Sequence, residues 1–487
     1  MKLKQLLKQL PKDLAPVEVK GSKEIEITGI TANSQQILPG NLFIAKKGAT
    51  FDGTRFIQEA FKAGAVAALT DMYDPSLKGL VQIICEDVVR LEAYLAAAFY
   101  EHPSDSMWMV GITGTNGKTT TTYAARHILE ACGITCGLIG SIEYIVGKNR
   151  YISTLTTPDV CRNHKLLREM RSLGCSAAVC EVSSHALDQG RVAYIHYDVA
   201  VVTNLNHEHL DYHGSMESYF QAKARLLQEL GSDKVALVNA DDPWADRFIA
   251  ASRAKVLTFG IENNADIQAK QIQLSVSGSR FIVSYRGEEQ SFSIPLVGRF
   301  NVYNALAATG VALTRGIHLK DSASALASFP TVSGRLEPVV NPRGLHIFVD
   351  HAHKPVALQN VLQTLKEVQA GRIITVFGCG GDRDRQKRPL MAQISEEFSD
   401  ITIVTSDNPR SESPQAIVDE IVSGFARPQE HIIELDRRKA IRKAVELAKP
   451  GDIILIAGKG HETQQIIASR SIDFDDRIVA GEAVATL

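Results

Sequence analysis

Hydrophobic and polar residues alternate along this chain in short blocks that predict strands and helices in turn. In the N-terminal part, the runs EIEITGI, NLFIAKKG and AVAALT are typical of strands. The segments FIQEAFKAGA and LEAYLAAAFYEH carry apolar residues at helical spacing. The triplet His102-Pro103-Ser104 interrupts the second helix, so we expect a first domain over residues 1–106.

A longer block of alternating strands and helices begins at Met107. Its apolar runs are MWMVGIT, CGLIG, AAVCEVSS, VAVVTNL, VALVNA and VLTFG. Regular alternation of this kind predicts a parallel sheet with helices on both faces. The segment IQLSVSGSRFIVSYRG that follows is typical of a hairpin, and NVYNALAATGVALTRG is typical of a helix.

The alternation starts again after a break at residues 329–334. The later strand-like runs are HIFVDHAH, IITVFGCGG, ITIVTSD and DIILIAGKG. The whole pattern therefore predicts an α/β fold of three domains, with the second over residues 107–332 and the third, Rossmann-like, over residues 333–487.

Composition is that of an ordinary globular protein. Of 487 residues, 45% are hydrophobic, and 53 Lys and Arg against 55 Asp and Glu give a net charge of −2. That balance does not favour nucleic acid or a membrane surface as a partner. Seven cysteines without a CxxC pair indicate reduced thiols, and no signal peptide or long apolar run is present. We expect a cytoplasmic protein.

A glycine-rich loop connects the strand MWMVGIT to the helix TTTYAARHILEACG. In it, Gly114-Thr115-Asn116-Gly117-Lys118-Thr119-Thr120 turns backbone N–H groups toward an anion at a helix N-terminus. Lys118 would reach the β- and γ-phosphates, and the Thr119 hydroxyl would bind Mg²⁺. Ile112 stands where the strict Walker pattern has its first glycine, so the alternative is a plain helix-capping turn.

Two further segments carry candidate metal ligands. Glu181 ends the run SAAVCE, at the sheet edge where ligands bind, although a solvated strand-end carboxylate is the alternative. The run from Asn206 to His213 holds three histidines, which permits a zinc interpretation, but a hard-cation or phosphate-facing role beside the loop fits better. Lys223 lies in a helical segment, where a solvated face is the default.

The chain resembles the Mur ligases in ten segments that occur in the family's order. They are Ser34 with PGNLFIA, TGTNGKTTT, EVSSHALDQGRV, TNLNHEHLDYHG, AKARL, GRFNVYNALAA, SGRLEP, FGCGGDRDRQKRPLM, TSDNPR and GKGHE. The segments run through all three expected domains. Among family members they are most similar to those that add meso-2,6-diaminopimelate to UDP-N-acetylmuramoyl-L-alanyl-D-glutamate in peptidoglycan precursor synthesis. The resemblance implies an ATP- and Mg²⁺-dependent ligase that works through an acyl phosphate.

The resemblance also implies roles for individual residues. Gly114 to Thr120 would hold ATP, and Lys118, Glu181, His209 and a carbamylated Lys223 would be the catalytic and metal-site groups together with Thr119. Further nucleotide contacts are expected from Asn301, Arg335 and Asp350. The UDP-muramoyl dipeptide would be held by Ser34, Thr156, Thr157, Ser183, Gln189 and Arg191.

Each expected domain takes a ligand in this interpretation. The first would bind the UDP-muramoyl part of the substrate, the second would be a P-loop-type ATPase domain with a parallel sheet, and the third would bind the incoming amino acid. Three positions depart from the family pattern: Glu208 replaces an Asp, His351 lies within the Asp350-His351-Ala352-His353 motif, and Gln35 follows Ser34. Gln35 makes the uridine contacts the least secure part of the resemblance.

The segment Asp407-Asn408-Pro409-Arg410 (DNPR) would account for selectivity toward the incoming amino acid. Diaminopimelate carries a distal carboxylate that lysine lacks, and the guanidinium of Arg410 matches it in geometry and charge. A site built on such a pair can reject the analogue by roughly 10⁴–10⁵. The other expected contacts are Arg383, Asp407, Asn408, Pro409, Gly458 and Glu462. Alone, DNPR would be equally typical of a turn.

Two other functions are compatible with the phosphate loop. A folylpolyglutamate-synthase-like ligase shares GTNGKTT, but the PGNLFIA and DNPR segments argue against it. A P-loop switch or motor would need a Walker-B-type Asp after an apolar strand and no pocket for a diacid. The expected partners are small molecules only, without nucleic acid or membrane, and the protein is expected to be a monomer.

Overall fold

The computed structural model describes residues 1–8, 10–14, 17–48, 52–368 and 371–486. They form two compact units, Met1–Asp266 with Ala307–Ile317 and Ile267–Leu306 with His318–Leu487. The strands are β1 Glu18–Lys20, β2 Gly29–Thr31, β3 Asn41–Ile44, β4 Ala67–Thr70, β5 Val81–Ile84, β6 Trp108–Thr113, β7 Cys136–Ile139, β8 Glu143–Val146, β9 Asn149–Ile152, β10 Ala177–Glu181, β11 Val199–Val202, β12 Val235–Asn239, β13 Lys255–Gly260, β14 Ile267–Ser275, β15 Gly278–Tyr285, β16 Glu288–Ile294, β17 Glu337–Pro338, β18 His346–Asp350, β19 Ile373–Phe377, β20 Ile401–Val404, β21 Ile432–Ile433, β22 Ile453–Ala457, β23 Gln464–Ile467 and β24 Arg470–Asp473.

Helices connect most of these strands. They are α1 Leu3–Leu7, α2 Ile57–Lys62, α3 Val88–Phe99, α4 Lys118–Ala131, α5 Val160–Ser172, α6 Ser184–Asp188, α7 Leu210–His213, α8 Met216–Gln228, α9 Ala245–Ala251, α10 Arg299–Thr314, α11 Leu319–Ala327, α12 Pro355–Val368, α13 Lys387–Phe398, α14 Pro414–Val422, α15 Arg437–Leu447 and α16 Asp476–Ala485. No helix in the part of the chain that the structure describes is long and apolar enough to cross a membrane.

The first unit contains two sheets. The N-terminal sheet has the order β1-β5-β4-β3-β2, in which only β1 runs antiparallel to its neighbour. The larger sheet has the order β13-β12-β11-β6-β10-β7-β8-β9 within this unit. Its strands from β13 to β7 are parallel, as predicted, and their continuous apolar runs are buried on both faces.

The second unit holds a six-stranded sheet of order β17-β18-β22-β19-β20-β21. Alternate residues of its strands enter two separate cores: Phe348 and Leu455 pack on one face, and Ile347 and Ile454 on the other. This is the period of two that strand geometry imposes. The carboxyl ends of the parallel strands β18, β19, β20 and β22 meet at one edge, where the predicted amino-acid site lies.

Most of the predicted strands and helices are confirmed. The run EIEITGI forms a strand only at its end, in β2, and the short strands β1, β17 and β21 were not predicted. The larger differences concern antiparallel hairpins. The expected hairpin at 272–287 begins earlier, at Ile267, and is extended by β16 to a three-stranded antiparallel sheet. The hairpins β8–β9 and β23–β24 were not predicted. Both are short, with many exposed residues, so they lack the apolar alternation from which the other strands were inferred.

One ion pair in the second unit is completely buried. Arg437 donates from Nε and Nη2 to the two carboxylate oxygens of Asp476, each at 2.7 Å, and both side chains are 0% exposed. An Asp476→Ala variant leaves this guanidinium without its counter-charge. We expect it to lower the free energy of unfolding by about 3–5 kcal/mol.

Urea denaturation followed by circular dichroism measures this loss. The matched control is Glu446→Ala, which breaks the exposed Arg442–Glu446 pair on the same helix as Arg437. That change is expected to cost less than about 1 kcal/mol. An equal loss of unfolding free energy in the two variants would contradict a larger contribution of the buried pair.

Candidate functional site

The predicted phosphate loop lies between β6 and α4. At Gly114 the backbone has φ +147°, and a Cβ there would lie 1.8 Å from Thr203 Oγ1. Gly117 precedes α4 with φ +84°, in the left-handed region that glycine favours. The two glycines are therefore required by the path of the loop, which brings backbone N–H groups and the positive end of a 14-residue helix to one place.

Other residues of the loop form hydrogen bonds with the segment that follows β11 and with Tyr219. Thr115 Oγ1 lies 3.2 Å from the Tyr219 hydroxyl and accepts from Asn206 N at 2.9 Å. The Asn116 carbonyl accepts from Thr203 Oγ1 at 2.6 Å. Thr120 is buried in the first turn of α4. These hydrogen bonds fix the backbone conformation of the loop.

Two lysines converge on the loop. Gly114 O accepts from Lys118 Nζ at 2.9 Å and from Lys223 Nζ at 2.7 Å. Lys223 is only 1% exposed, so the default of a solvated helix face is wrong for this residue. Burial, and then the charge of Lys118, hold the pKa of Lys223 well below its usual value. The amine of this lysine is thereby easier to deprotonate than that of an exposed lysine, and it lies beside the predicted phosphate loop.

The burial of Lys223 follows from the spacing along α8. Tyr219, Lys223 and Leu227 recur every four residues, and all three lie on the buried face of the helix. The Lys223 ammonium lies 4.7 Å from the centre of the Tyr219 ring. A lysine at an apolar position of an amphipathic helix was the signal in the sequence that could have identified it without any resemblance.

Glu181 is also buried, at the end of β10. Its Oε2 accepts from Thr119 Oγ1 at 3.0 Å and from Ser141 Oγ at 3.0 Å, and its Oε1 accepts from Ser141 N at 2.8 Å. The carboxylate is 0% exposed, which contradicts the alternative of a solvated strand-end residue. Oxygen donors from three elements meet here, and this donor set suits Mg²⁺.

His209 lies near the ring of Tyr219. It precedes α7 with φ +58°, and its ring centre is 4.9 Å from that of His185 and 6.1 Å from that of Tyr219. Of the predicted metal ligands, the structure brings together Thr119 with Glu181, and places Lys223 and His209 around Tyr219. Within the described ranges, no three His, Cys, Asp or Glu side chains are grouped so that they could hold a metal ion.

Most of the predicted dipeptide-binding residues form one network beside Glu181. Thr157 Oγ1 donates to Glu181 O at 2.7 Å and accepts from Ser183 N at 3.1 Å. Arg191 Nη1 donates to Thr157 O at 3.1 Å, and its Nη2 donates to Gln189 Oε1 at 2.6 Å.

The other two predicted contacts differ in their placement. Thr156 Oγ1 lies 3.1 Å from Ser141 Oγ, so it joins the network through the residue that also donates to Glu181. Ser34 begins the 3₁₀ turn Ser34–Gln36 and is not part of this network.

The predicted nucleotide residues of the second unit are largely buried. Asn301 is 2% exposed and donates from Nδ2 to Val297 O at 2.9 Å. Asp350 accepts from Leu336 N at 2.7 Å and from Ala352 N at 2.8 Å. Burial raises the pKa of Asp350, and the positive charge of Arg335 opposes that rise.

The rings of three histidines lie close together near Arg335. The ring centre of His351 lies 4.6 Å from that of His353 and 5.0 Å from that of His461. Burial lowers the pKa of His351 to about 2, so it is neutral at physiological pH. His351 is one of the departures from the family pattern, and here its neutral ring packs at a tilt against the rings of His353 and His461.

The predicted amino-acid site is built on loops that follow β19, β20 and β22. Arg410 Nη1 donates to Gly381 O at 2.8 Å, which joins the β19 and β20 loops. A Cβ on Gly458 would lie 2.5 Å from Asp407 Oδ2, so only glycine allows the β22 loop this close. Arg383 is exposed and donates to Asp382 O at 2.9 Å.

The DNPR segment also contacts residues that sequence reasoning did not select. Pro409 is buried, and its carbonyl oxygen would lie 1.9 Å from a Cβ on Gly381. Asn408 Nδ2 donates to Glu462 Oε2 at 2.8 Å, and Asn408 Oδ1 accepts from Lys459 Nζ at 3.1 Å. Lys459 was missed, although a lysine between two glycines after a buried strand is an unusual pattern.

Comparison with known families finds matches over most of the chain. The family described as Mur ligase family, catalytic domain, matches residues 26–100. The Mur ligase middle domain matches residues 112–312, and the Mur ligase, glutamate ligase domain matches residues 334–460. The three matched ranges fall within the three domains expected from the sequence.

Individual relatives are similar over their whole length. A protein of Chlamydia felis (strain Fe/C-56), named UDP-N-acetylmuramoyl-L-alanyl-D-glutamate--2,6-diaminopimelate ligase, is 44% identical and is aligned over 100% of both chains. A protein of the same name from Caldanaerobacter subterraneus subsp. tengcongensis is 42% identical over 96% of this chain and 97% of its own. A solved structure with this name is 31% identical, has a TM-score of 0.72 and covers 100% of this chain and 99% of its own.

Proposed function

The chain belongs to the Mur ligase family, and from this premise we propose that it adds meso-2,6-diaminopimelate to UDP-N-acetylmuramoyl-L-alanyl-D-glutamate. It is an ATP-dependent ligase of peptidoglycan precursor synthesis, and its full-length relatives are named as 2,6-diaminopimelate ligases. The structural observation that carries the proposal is the convergence of Lys118 and the buried Lys223 on Gly114 O, in the phosphate loop.

The reaction joins a carboxylate to an amine in two steps. An oxygen of the D-glutamate γ-carboxylate attacks the γ-phosphorus of ATP, the bond from phosphorus to the ADP oxygen breaks, and an acyl phosphate forms. The amine of diaminopimelate then attacks the acyl carbon, loses a proton, and expels inorganic phosphate. Negative charge accumulates at the transferred group, so the chief task of the protein is to position the reactants and neutralise charge.

Residues of the first unit supply that neutralisation. Lys118 and the N-terminus of α4 face the phosphates. Thr119 and Glu181 would hold Mg²⁺ through oxygen atoms, because the Thr119 hydroxyl is already within 3.0 Å of the Glu181 carboxylate. Mg²⁺ bound there would neutralise charge on the phosphate oxygens.

We assign the carbamate to Lys223. Its neutral amine attacks CO₂, one proton leaves, and the lysine becomes an N-linked carboxylate. This conversion turns a buried cation into an oxygen ligand, which with His209 would hold a second Mg²⁺. Burial lowers the pKa of the Lys223 amine and so favours the unprotonated, nucleophilic nitrogen, which supports this assignment together with its position 2.7 Å from Gly114 O.

The substrate assignments follow the motifs of the family. The UDP-muramoyl dipeptide is assigned to residues 1–106 and to the network beside Glu181, with Ser34, Thr156, Thr157, Ser183, Gln189 and Arg191. The nucleotide is assigned to residues 107–332, with further contacts from Asn301, Arg335 and Asp350. The amino acid is assigned to residues 333–487, with Arg383, Asp407, Asn408, Pro409, Arg410, Gly458 and Glu462.

The partners in this proposal are small molecules, and the protein acts as a monomer in the cytoplasm. Cys85, Cys136, Cys161, Cys175, Cys180 and Cys379 are free thiols, which suits a reducing compartment. A folylpolyglutamate-synthase-like activity and a P-loop switch are less well supported, because neither uses an N-terminal domain of the kind matched at residues 26–100 together with a site for a diamino diacid.

Phosphate release from ATP tests the function. We expect release only when UDP-N-acetylmuramoyl-L-alanyl-D-glutamate and meso-diaminopimelate are both present, with one tripeptide product formed per phosphate. The physical reason is that the acyl phosphate needs the amine before it can turn over. Rapid hydrolysis without either substrate would contradict the ligase assignment, and release with folate and glutamate would favour the alternative ligase.

A further inference from the structure

A fully buried lysine lies immediately after β22, outside the groups assigned to catalysis. Lys459 is 0% exposed and stands between Gly458 and Gly460, both of which have positive φ. Its Nζ donates to Gln464 O at 2.6 Å, to Asn408 Oδ1 at 3.1 Å and to Glu462 Oε2 at 3.3 Å. The three donors of the ammonium group are therefore matched by three acceptors.

The acceptors of Lys459 belong to two segments of the amino-acid site. Asn408 lies in the DNPR loop after β20, whereas Glu462 and Gln464 lie after β22. The Asn408 amide joins the segments a second time, because its Nδ2 donates to Glu462 Oε2 at 2.8 Å and its Oδ1 accepts from Ile466 N at 2.9 Å. Both hydrogen bonds to the Glu462 carboxylate are made by Oε2, so its orientation is set by Asn408 and Lys459.

The same connection holds the backbone of Arg410. Its N–H donates to Ile466 O at 3.1 Å, and its carbonyl accepts from Ala468 N at 2.7 Å. Arg410 has φ +51°, a conformation that is costly for a residue with a side chain and persists only where its surroundings impose it. The hairpin β23–β24 imposes it here, and Lys459 is bonded to the first residue of that hairpin.

From this geometry we infer that Lys459 is a positioning residue that sets amino-acid affinity by fixing Glu462 and, through Asn408 and the hairpin, Arg410. The inference rests on the proposed function, in which Glu462 and Arg410 contact the amino acid. The Glu462 carboxylate suits an ammonium group of that ligand, and the Arg410 guanidinium suits its distal carboxylate. A buried charged amine does not by itself stabilise the fold, since proteins in which apolar residues replace a buried ion pair are often as stable. Its contribution is the orientation of two side chains that lie in different loops.

The test is Lys459→Met, which keeps the length of the side chain and removes the charge and the donors. We expect the KM for meso-diaminopimelate to rise by about 10- to 100-fold, the range that loss of a hydrogen bond to a charged group produces. The KM for ATP and the KM for UDP-N-acetylmuramoyl-L-alanyl-D-glutamate are expected to keep their wild-type values. Lys459→Arg, which retains the charge and the donors, is expected to recover part of the affinity.

The matched control is Arg372→Met, at the opposite end of the same sheet. Arg372 donates from Nη2 to Asp452 Oδ2 at 2.7 Å, beside the first residues of β19 and β22. This substitution also removes a cation paired with a carboxylate, but it leaves the loops at the carboxyl ends of the strands unchanged. It is expected to leave the KM for diaminopimelate at the wild-type value.

The outcomes separate the inference from the function on which it rests. A wild-type chain that forms no tripeptide product contradicts the proposed function and this inference together. An active wild type with an unchanged KM for diaminopimelate in Lys459→Met contradicts the inference alone, as does an equal rise in the KM for ATP. If thermal unfolding shows that Lys459→Met does not fold, Lys459→Gln replaces it, and an unchanged KM in that folded variant overturns the inference.

Discussion

The Lys223→Ala variant is expected to lose ligation by about 10³-fold, with its fold and ATP affinity retained. The Lys223 side chain is buried, and its Nζ lies 2.7 Å from Gly114 O in the phosphate loop. In the proposed mechanism its carbamate is a ligand of the metal site, so alanine removes the oxygen atoms that would hold the second Mg²⁺. Initial rates of tripeptide formation at saturating substrates measure the loss.

Short carboxylates should partly restore the activity of Lys223→Ala. Alanine leaves a space the size of the lost side chain, and formate or acetate can place a carboxylate near the position of the carbamate. The control is Gln221→Ala, an exposed position of the same helix, which is expected to keep wild-type activity and to be insensitive to added carboxylate. Full activity in Lys223→Ala, or an inactive variant that carboxylates do not rescue, would contradict the carbamate assignment.

The phosphate loop and the parallel pairing of the strands around it were predictable, because they follow from local signals and from the regular alternation of strands and helices. The order of the strands in the sheet was not predicted. Glycine at 114 and 117, a buried strand before the loop and a helix after it are adjacent in sequence. Lys223 was different, since a lysine in a helix is usually solvated. Its burial depends on packing of α8 against the loop, which only the four-residue spacing with Tyr219 and Leu227 hinted at.

Domain boundaries were only partly readable from the sequence. The breaks near residues 106 and 332 were inferred from loss of periodicity, yet the first two sheets belong to one compact unit. Val160 and Cys161 of α5 enter the hydrophobic cluster of the N-terminal sheet, and Cys161 Sγ lies 3.7 Å from the buried Glu92 carboxylate. A pattern along the chain cannot show which elements share a core, so the three-domain division stays a prediction.

The amino-acid site shows the same division between local and distant signals. Arg410 was identified from its motif, but its left-handed backbone and its bond to Gly381 O depend on loops that are far apart in sequence. The hairpin β23–β24 that holds this backbone was not predicted, since its strands are short and largely exposed. Lys459 was missed for the same reason, because its acceptors come together only in the folded chain.

Arg410→Lys is expected to raise the KM for meso-diaminopimelate by about 100-fold or more and to leave the KM for ATP unchanged. A planar guanidinium can hold the distal carboxylate through two parallel hydrogen bonds, whereas an ammonium group presents a single point charge. The backbone of residue 410 is held by bonds to Ile466 and Ala468 that do not involve the side chain, so the loop is expected to keep its conformation. The substitution therefore removes the guanidinium and its hydrogen bond to Gly381 O, and it leaves the backbone hydrogen bonds of residue 410 in place.

Competition with L-lysine shows whether Arg410 determines selectivity. The wild type is expected to prefer meso-diaminopimelate over L-lysine by roughly 10⁴-fold, since lysine would leave the half-buried guanidinium of Arg410 without a carboxylate partner. In Arg410→Ala that preference should nearly vanish, because the second carboxylate of diaminopimelate no longer gains a partner. Arg427→Lys, at an exposed arginine paired with Glu430, is the control and should retain the full preference. Equal losses of affinity for ATP and for the amino acid would mean that Arg410 supports the fold and does not read the substrate.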